Sequence, residues 1–348
     1  MKKYLILVIS ALVLAACSNE EVVTTQEKDS GKSILKLTLT AEPNLNSRSI
    51  DLAADSTIYD CTILTFDLDG NISGKGYEAI SGGVARFDMQ VGLSTNRGDS
   101  CTVYAIANTN NPNLFDNIQT YTQFRNMFLS YDTPQDLVDG NIRIGGNSLH
   151  TNGQVMTSDG VKVKVTDGIV PFRIKLYSQC AKIKFTINAP TGDAINGFRL
   201  KGYQLFCVPL SGYLDNRYKS VNPAIPYEAP EQQYGNYPKV TLTGDSTVVH
   251  FTYYMAESHQ GEETENPAQT VKDRTFDHAP EHATYIKVYV ADMEGRTGTY
   301  RYYLGNLTED ITASKFNYYN ILRGYDYYVT INLNDIDATD PRFSWDNP

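Results

Sequence analysis

Residue types able to do chemistry are present, but they do not converge on a reaction centre. The five histidines are His150, His250, His259, His278 and His282. His278 and His282 are four apart with Glu281 beside them, a spacing that on a helix would turn two imidazoles toward one zinc ion. Here the spacing falls in a proline-containing acidic loop without an H-E-x-x-H pattern, so no metal site is expected. Asp67, Asp69, Asn71 and Glu78 match several calcium-loop positions, but Ile72 stands where that loop needs glycine for its bend. D-L-D-G-N (Asp67 to Asn71) therefore reads as a hairpin turn. There is no G-x-S-x-G, no phosphate loop and no G-x-G-x-x-G after a strand. Carboxylates are abundant, yet none is singled out as half of a glycosidase pair. Rings in Tyr300-Tyr302-Tyr303, Tyr318-Tyr319 and Tyr325-Tyr327-Tyr328 could stack on sugars, although tyrosine also suits a half-exposed pleated surface. The expectation is a protein without enzymatic activity, cofactor or metal.

Two residues carry chemistry of another kind, done to the chain rather than by it. Lys2 and Lys3, the apolar run from Tyr4 to Leu14 and the small residues after it have the form of an export signal. Its end, L-V-L-A-A-C, resembles a bacterial lipoprotein signal, cut before Cys17 and lipidated on that thiol. Ser18 to Lys32 is polar, acidic and aperiodic, as in a tether. Glu20 and Glu21 within it resemble the acidic surface-export signal of Bacteroidota lipoproteins. Arg48 is the first arginine of the chain and lies in an Asn- and Ser-rich stretch after Pro43. Polar loops of this type are general protease targets, and an arginine-specific protease working from the front would cut between Arg48 and Ser49.

Such a cut matters because of what precedes it. Leu35, Leu37, Leu39 and Ala41 alternate with Lys36, Thr38 and Thr40, the period of a strand with one buried face. Further alternating runs occupy Ile58–Leu68, Val84–Val91, Cys101–Ala107, Ile169–Ile187, Phe198–Val208, Lys239–Thr243, Val248–Met255, Tyr285–Ala291, Gly298–Leu304 and Tyr325–Leu333. Together with the 25 tyrosines of the whole chain, they predict an all-β protein. Phe124, Met127, Phe128 and Tyr131 instead have helical spacing and predict a helix from about Tyr121 to Tyr131. Ser211–Pro238 and the acidic Glu257–Glu281 read as long loops, the latter long enough to suggest function or disorder.

At 348 residues the chain has room for two domains, and a new core is expected from Ile169 onward. The formal charge of −10 argues against nucleic acid or an anionic lipid surface as partner, since both call for clustered Lys and Arg. No run after residue 20 is long and apolar enough to span a membrane as a helix. Cys61, Cys101, Cys180 and Cys207 allow the disulfides Cys61–Cys101 and Cys180–Cys207, but each lies in or beside an apolar strand and suits a buried free thiol equally.

Taken together, Cys17, the strand, Arg48 and the two successive β cores resemble the fimbrillins that build type V pili in Bacteroidota. Five segments carry the resemblance in the second half. R-I-K-L-Y-S-Q-C-A-K-I-K-F (Arg173 to Phe185) is similar to a characteristic strand start, with Ser178 where that family more usually has a basic residue. F-T-Y-Y-M-A-E-S (Phe251 to Ser258) resembles an aromatic strand ending in Glu. A-T-Y-I-K-V (Ala283 to Val288), Y-R-Y-Y-L-G (Tyr300 to Gly305) and F-N-Y-Y-N-I-L-R-G-Y-D-Y-Y-V-T-I (Phe316 to Ile331) resemble closing strands.

The resemblance implies two tandem transthyretin-like β-sandwich domains. They would follow the signal peptide and lipidated cysteine (1–17) and the tether (18–32), and would span 33–168 and 169–348. It further implies an outer-membrane lipoprotein precursor, an arginine-specific maturation protease, and loss of the first strand (33–48). The vacancy would be filled by a strand from another fimbrial subunit at the cell surface. Beyond Leu333 only Ile336, Phe343 and Trp345 are apolar candidates for a donor segment, which suggests a tip or accessory subunit with an adhesive role toward a host or bacterial surface ligand. The competing expectation is a surface glycan-binding lipoprotein that keeps its first strand.

Overall fold

The computed structural model describes residues 33–43, 56–94, 98–166, 169–189, 197–215, 233–243, 247–305 and 316–346. In chain order the strands are β1 (Ser33–Ala41), β2 (Ile58–Phe66), β3 (Ile72–Val84), β4 (Arg86–Leu93), β5 (Ser100–Ala107), β6 (Phe128–Ser130), β7 (Asn141–Ile144), β8 (Asn147–His150), β9 (Met156–Thr157), β10 (Val161–Lys164) and β11 (Ile169–Ser178). They continue as β12 (Cys180–Asn188), β13 (Phe198–Phe206), β14 (Val208–Pro209), β15 (Ser211–Tyr213), β16 (Tyr234–Gly235), β17 (Val240–Thr241), β18 (Val248–Ala256), β19 (Tyr285–Asp292), β20 (Thr297–Tyr303), β21 (Asp326–Asn332) and β22 (Phe343–Trp345). Two short helices, α1 (Tyr121–Arg125) and α2 (Pro134–Asp139), complete an all-β architecture, as the alternating runs predict.

The first large sheet has the order β3-β2-β5-β9-β11-β1-β4, with β10 added beside β5. Its concave face holds a core of Leu35, Leu37, Leu39, Ile63, Val91, Val103 and Ile174. The sheet curls until its two ends meet, where the Ser94 N–H donates to the Ser73 carbonyl at 2.7 Å. Gly74 permits that approach, because a Cβ there would lie 2.6 Å from the Gly92 carbonyl oxygen and 2.7 Å from Thr65 Oγ1. Gly74→Val is accordingly expected to lower stability by about 1–3 kcal/mol, measured by urea unfolding followed by circular dichroism.

The C-terminal half packs the sheet β18-β12-β21 against β17-β13-β19-β20-β22. Ile183, Phe185 and Ile187 from one sheet meet Leu205, Ile286, Val288 and Val290 from the other in a continuous core. Between the two halves, Phe66, Phe115, Phe124 and Tyr131 share a third cluster with Cys180, Leu210, Leu214 and Ala256. Tyr131 is tied down there, its hydroxyl donating to the Pro209 carbonyl and accepting from the Ala256 N–H at 3.2 Å.

Two expectations change at this level, and one open alternative is decided. The change of sheet falls between Ser178 and Cys180 rather than at 168/169, because Ile169–Ser178 pairs in parallel with β1 and belongs to the first sheet. The helix expected over Tyr121–Tyr131 stops at Arg125. Thr120 and Gln123 cap its start reciprocally, but Phe128–Ser130 pairs with β15 and β7 instead of continuing the helix. Of the two readings open for the four cysteines beyond Cys17, the structure has the free thiols. Cys61 lies opposite Ala107, six positions along β5 from Cys101. That is roughly 20 Å at strand spacing, beyond the ~7 Å reach of a disulfide.

Candidate functional site

The site is β1 and the slot that holds it. This strand is not an edge: it pairs in parallel with β11 and antiparallel with β4 along almost its whole length. Leu35 lies between Val91 and Val170, Leu37 between Met89 and Phe172, and Leu39 between Phe87 and Ile174. Strand alternation sends these three leucines inward, each with no exposed surface, and sends Lys36 out to solvent. Ala41, also on the inward face, is nearly as deep.

Polar contacts hold the two ends. Ser33 Oγ donates to the Thr166 carbonyl at 2.9 Å. At the other end the Ala41 N–H donates to the Ala85 carbonyl at 3.0 Å and the Glu42 N–H to the Leu176 carbonyl at 2.9 Å. Outside the sheet, Thr38 Oγ1 donates to Asp88 Oδ1 at 2.6 Å, and Lys175 Nζ stands 3.4 Å from Glu42 Oε2. The slot is therefore an apolar trough flanked by two backbone ladders. It can recognise an extended segment with apolar residues at alternate positions.

Cys17, Arg48 and Ser49 lie outside the described residues. Arg48 falls in the 44–55 stretch joining β1 to β2. Because β2 is separated from β1 by β5, β9 and β11 in the sheet order, the fragment before a cut at Arg48 would be held through the contacts of β1.

The other residues singled out in the sequence disperse. His278 Nδ1 lies 2.9 Å from the Asn266 carbonyl, while His282 stacks on Tyr234 with centroids 4.4 Å apart. Among the described residues no group of three or more His, Cys, Asp or Glu is arranged to hold a metal ion. D-L-D-G-N forms the turn, with the Asp67 N–H donating to the Asn71 carbonyl at 2.9 Å. Tyr300, Tyr303, Tyr319 and Tyr327 are buried, so those rings are packing residues rather than a sugar platform.

Two arrangements were not legible in the sequence. Glu257, at the end of β18, is buried against Arg323, which also donates to Gln179. The Glu257–Glu281 loop is consequently anchored, and Arg274 within it donates to the Leu304 carbonyl at 2.8 Å and stacks over Tyr319. Near the end of the chain, β22 pairs antiparallel with β20, placing Phe343, one of the sparse apolar candidates there, opposite Tyr300.

A sequence-family profile described as a domain of unknown function (DUF4906) matches residues 253–331. No curated protein matches in sequence. Among solved structures, a candidate cell adhesion protein from Parabacteroides distasonis superposes with a TM-score of 0.59 at 14% identity, over 90% of this chain and 96% of that one. The tip fimbrial protein of Porphyromonas gingivalis, solved with a C-terminal truncation, gives 0.56 at 14% identity, over 90% and 98%. A fimbrilin from Porphyromonas gingivalis gives 0.52 at 13% identity, over 88% and 92%. The chain thus shares its all-β fold, over nearly its whole length, with fimbrial and adhesion proteins of Bacteroidota.

Proposed function

We propose that the protein is a fimbrial subunit, exported as a lipoprotein on Cys17 and matured by cleavage between Arg48 and Ser49. Cleavage leaves β1 held by its sheet contacts alone, so that a strand from a neighbouring subunit can displace it by donor-strand exchange. The observation that carries this reading is the placement of β1. It is an interior strand with three fully buried leucines, yet it is the first of the described strands and is followed by the segment that holds Arg48. Losing it exposes the facing edges of both β4 and β11, and unpaired strand edges invite another strand.

The proposal extends to a terminal or accessory place with an adhesive role; β22, the last of the described strands, pairs with β20 in its own sheet. Treating the purified protein with an arginine-specific protease is expected to produce a new N-terminus at Ser49 and, once the β1 fragment is removed, association of the opened chain through its unpaired strand edges on non-denaturing gels. An unchanged monomer carrying that N-terminus would refute the exchange mechanism. An N-terminus of lipidated Cys17 on protein taken from cells would instead show that the strand is retained in life.

A further inference from the structure

The outer face of β19 and β20 carries two positive charges set directly against each other. Lys287 and Arg301 are cross-strand partners, and like charges at that position destabilise a sheet. Among the described residues neither has a carboxylate within ion-pair distance. Arg301 gives one N–H to Tyr303 Oη at 3.3 Å and otherwise stands over the rings of Tyr285, at 4.8 Å, and Phe276, at 5.8 Å. The Lys287 ammonium stands 4.8 Å from the centre of the Phe206 ring. Burial, and then the charge of Arg301, push that ammonium below its usual pKa against the weaker opposing charge of Asp346.

The next strand brings a third cation, Arg342, whose carbonyl accepts from the Arg301 N–H at 2.9 Å. Its guanidinium is committed to Asp340 through bonds of 2.9 and 2.6 Å, so it adds little free charge. Asp346, the carboxylate at the rim, accepts from Thr299 Oγ1 at 3.0 Å. These residues line a recess of about 270 Å³ walled by Phe276 and Phe343. Phe276 is 67% exposed. It is presented on a short turn (Phe276–His278) just beyond the buried Arg274.

From this geometry we infer that the recess binds a carboxylated sugar residue, with Arg301 and Lys287 holding the carboxylate and Phe276 lying against the C–H face of the ring. A guanidinium has paired N–H donors that match a carboxylate, and an exposed aromatic face suits the apolar side of a pyranose. The volume is below the ~300–1,000 Å³ typical of drug-sized pockets, which favours a single ring over an extended acidic peptide. In a chain of net charge −10, this cationic recess is a local exception that attracts anions. The inference does not rest on strand exchange, because β19, β20, β22 and the preceding loop build the recess. A chain that polymerises but binds no acidic sugar would refute this inference alone.

The test is titration calorimetry of the full chain with sialyllactose, trigalacturonate, lactose and hexaglutamate. At least one of the two acidic saccharides is expected to bind, and the one that does identifies a sialoglycan or a uronate polymer as the source. Lactose is expected to give no signal, and added salt to weaken the binding. Arg301→Gln should reduce affinity at least about tenfold. That variant removes a like-charge opposition, so its thermal midpoint should not fall. Should it nevertheless misfold, Phe276→Ala on the exposed turn provides the second variant, with a several-fold loss expected. Silence from both acidic saccharides, equal binding of lactose, tighter binding of hexaglutamate, or an unchanged affinity in the variants would overturn the assignment.

Discussion

A chain that begins at Ser49 is expected to be unable to hold its N-terminal sheet together as a monomer. Leu35, Leu37 and Leu39 are wholly buried in the complete chain. Burial of each is worth about 1.5–3 kcal/mol as an upper estimate, roughly 4.5–9 kcal/mol for the three. Whole domains are stable by only about 5–15 kcal/mol, so the loss is comparable to the total. The missing ladders to β4 and β11 add to it. Size-exclusion chromatography should show association of the shortened chain, and thermal unfolding a large drop in midpoint at concentrations too low for association. A synthetic peptide of residues Ser33–Ala41 should restore both the monomer and the midpoint, whereas the same peptide with Leu37→Asp should restore neither. A monodisperse shortened chain melting at the temperature of the complete one would remove the basis of the proposed assembly.

Replacing Arg323 should be the most damaging single substitution in the C-terminal half. Burial pushes the Glu257 carboxyl up, but the charge and hydrogen bond of Arg323, helped by His259 at 3.2 Å, outweigh it and hold that carboxyl well below its usual range. Arg323→Met leaves Glu257 buried opposite an apolar chain, which typically costs about 3–5 kcal/mol. Combining it with Glu257→Leu should recover much of that loss, since an apolar pair of similar volume is often neutral. The pH dependence follows from the sign of the shift. A carboxyl depressed in the folded state contributes its stability fully above the unfolded value, near about 4.3, and loses it as pH falls through the acid range. Denaturant unfolding at neutral pH and near pH 3 should therefore show an acid-induced loss in the native chain that is smaller in Arg323→Met. An equal loss in both would mean that other carboxyls govern acid sensitivity. The variant should also loosen the loop that begins at Glu257 and carries Phe276.

Much of the frame was legible in the sequence because strand alternation is a local property. The alternating runs at Leu35–Ala41, Ile58–Leu68 and Tyr285–Ala291 fall on the strands Ser33–Ala41, Ile58–Phe66 and Tyr285–Asp292, since a period of two needs no knowledge of what lies opposite. The turn at Asp67–Asn71 was legible for the same reason. The helix over Tyr121–Tyr131 was over-extended because Phe124, Met127 and Phe128 suit helical spacing, and sequence separation hides that β15, some eighty residues later, claims Phe128–Ser130. The tyrosine clusters show the ambiguity of a residue that is apolar in its body and polar at its tip: only packing decided that Tyr300 and Tyr319 point inward.

The sequence by itself determined that this is a β protein with an acidic surface, that its first strand has one apolar face, and that an arginine follows that strand. Only the tertiary structure decided that this strand lies inside a sheet between β4 and β11, that Ile169–Ser178 belongs with it, and that Lys287 faces Arg301. The physical reason is range. Side-chain period and turn chemistry act within a few residues, whereas strand pairing, burial of a charge and cross-strand repulsion depend on neighbours brought together from distant parts of the chain.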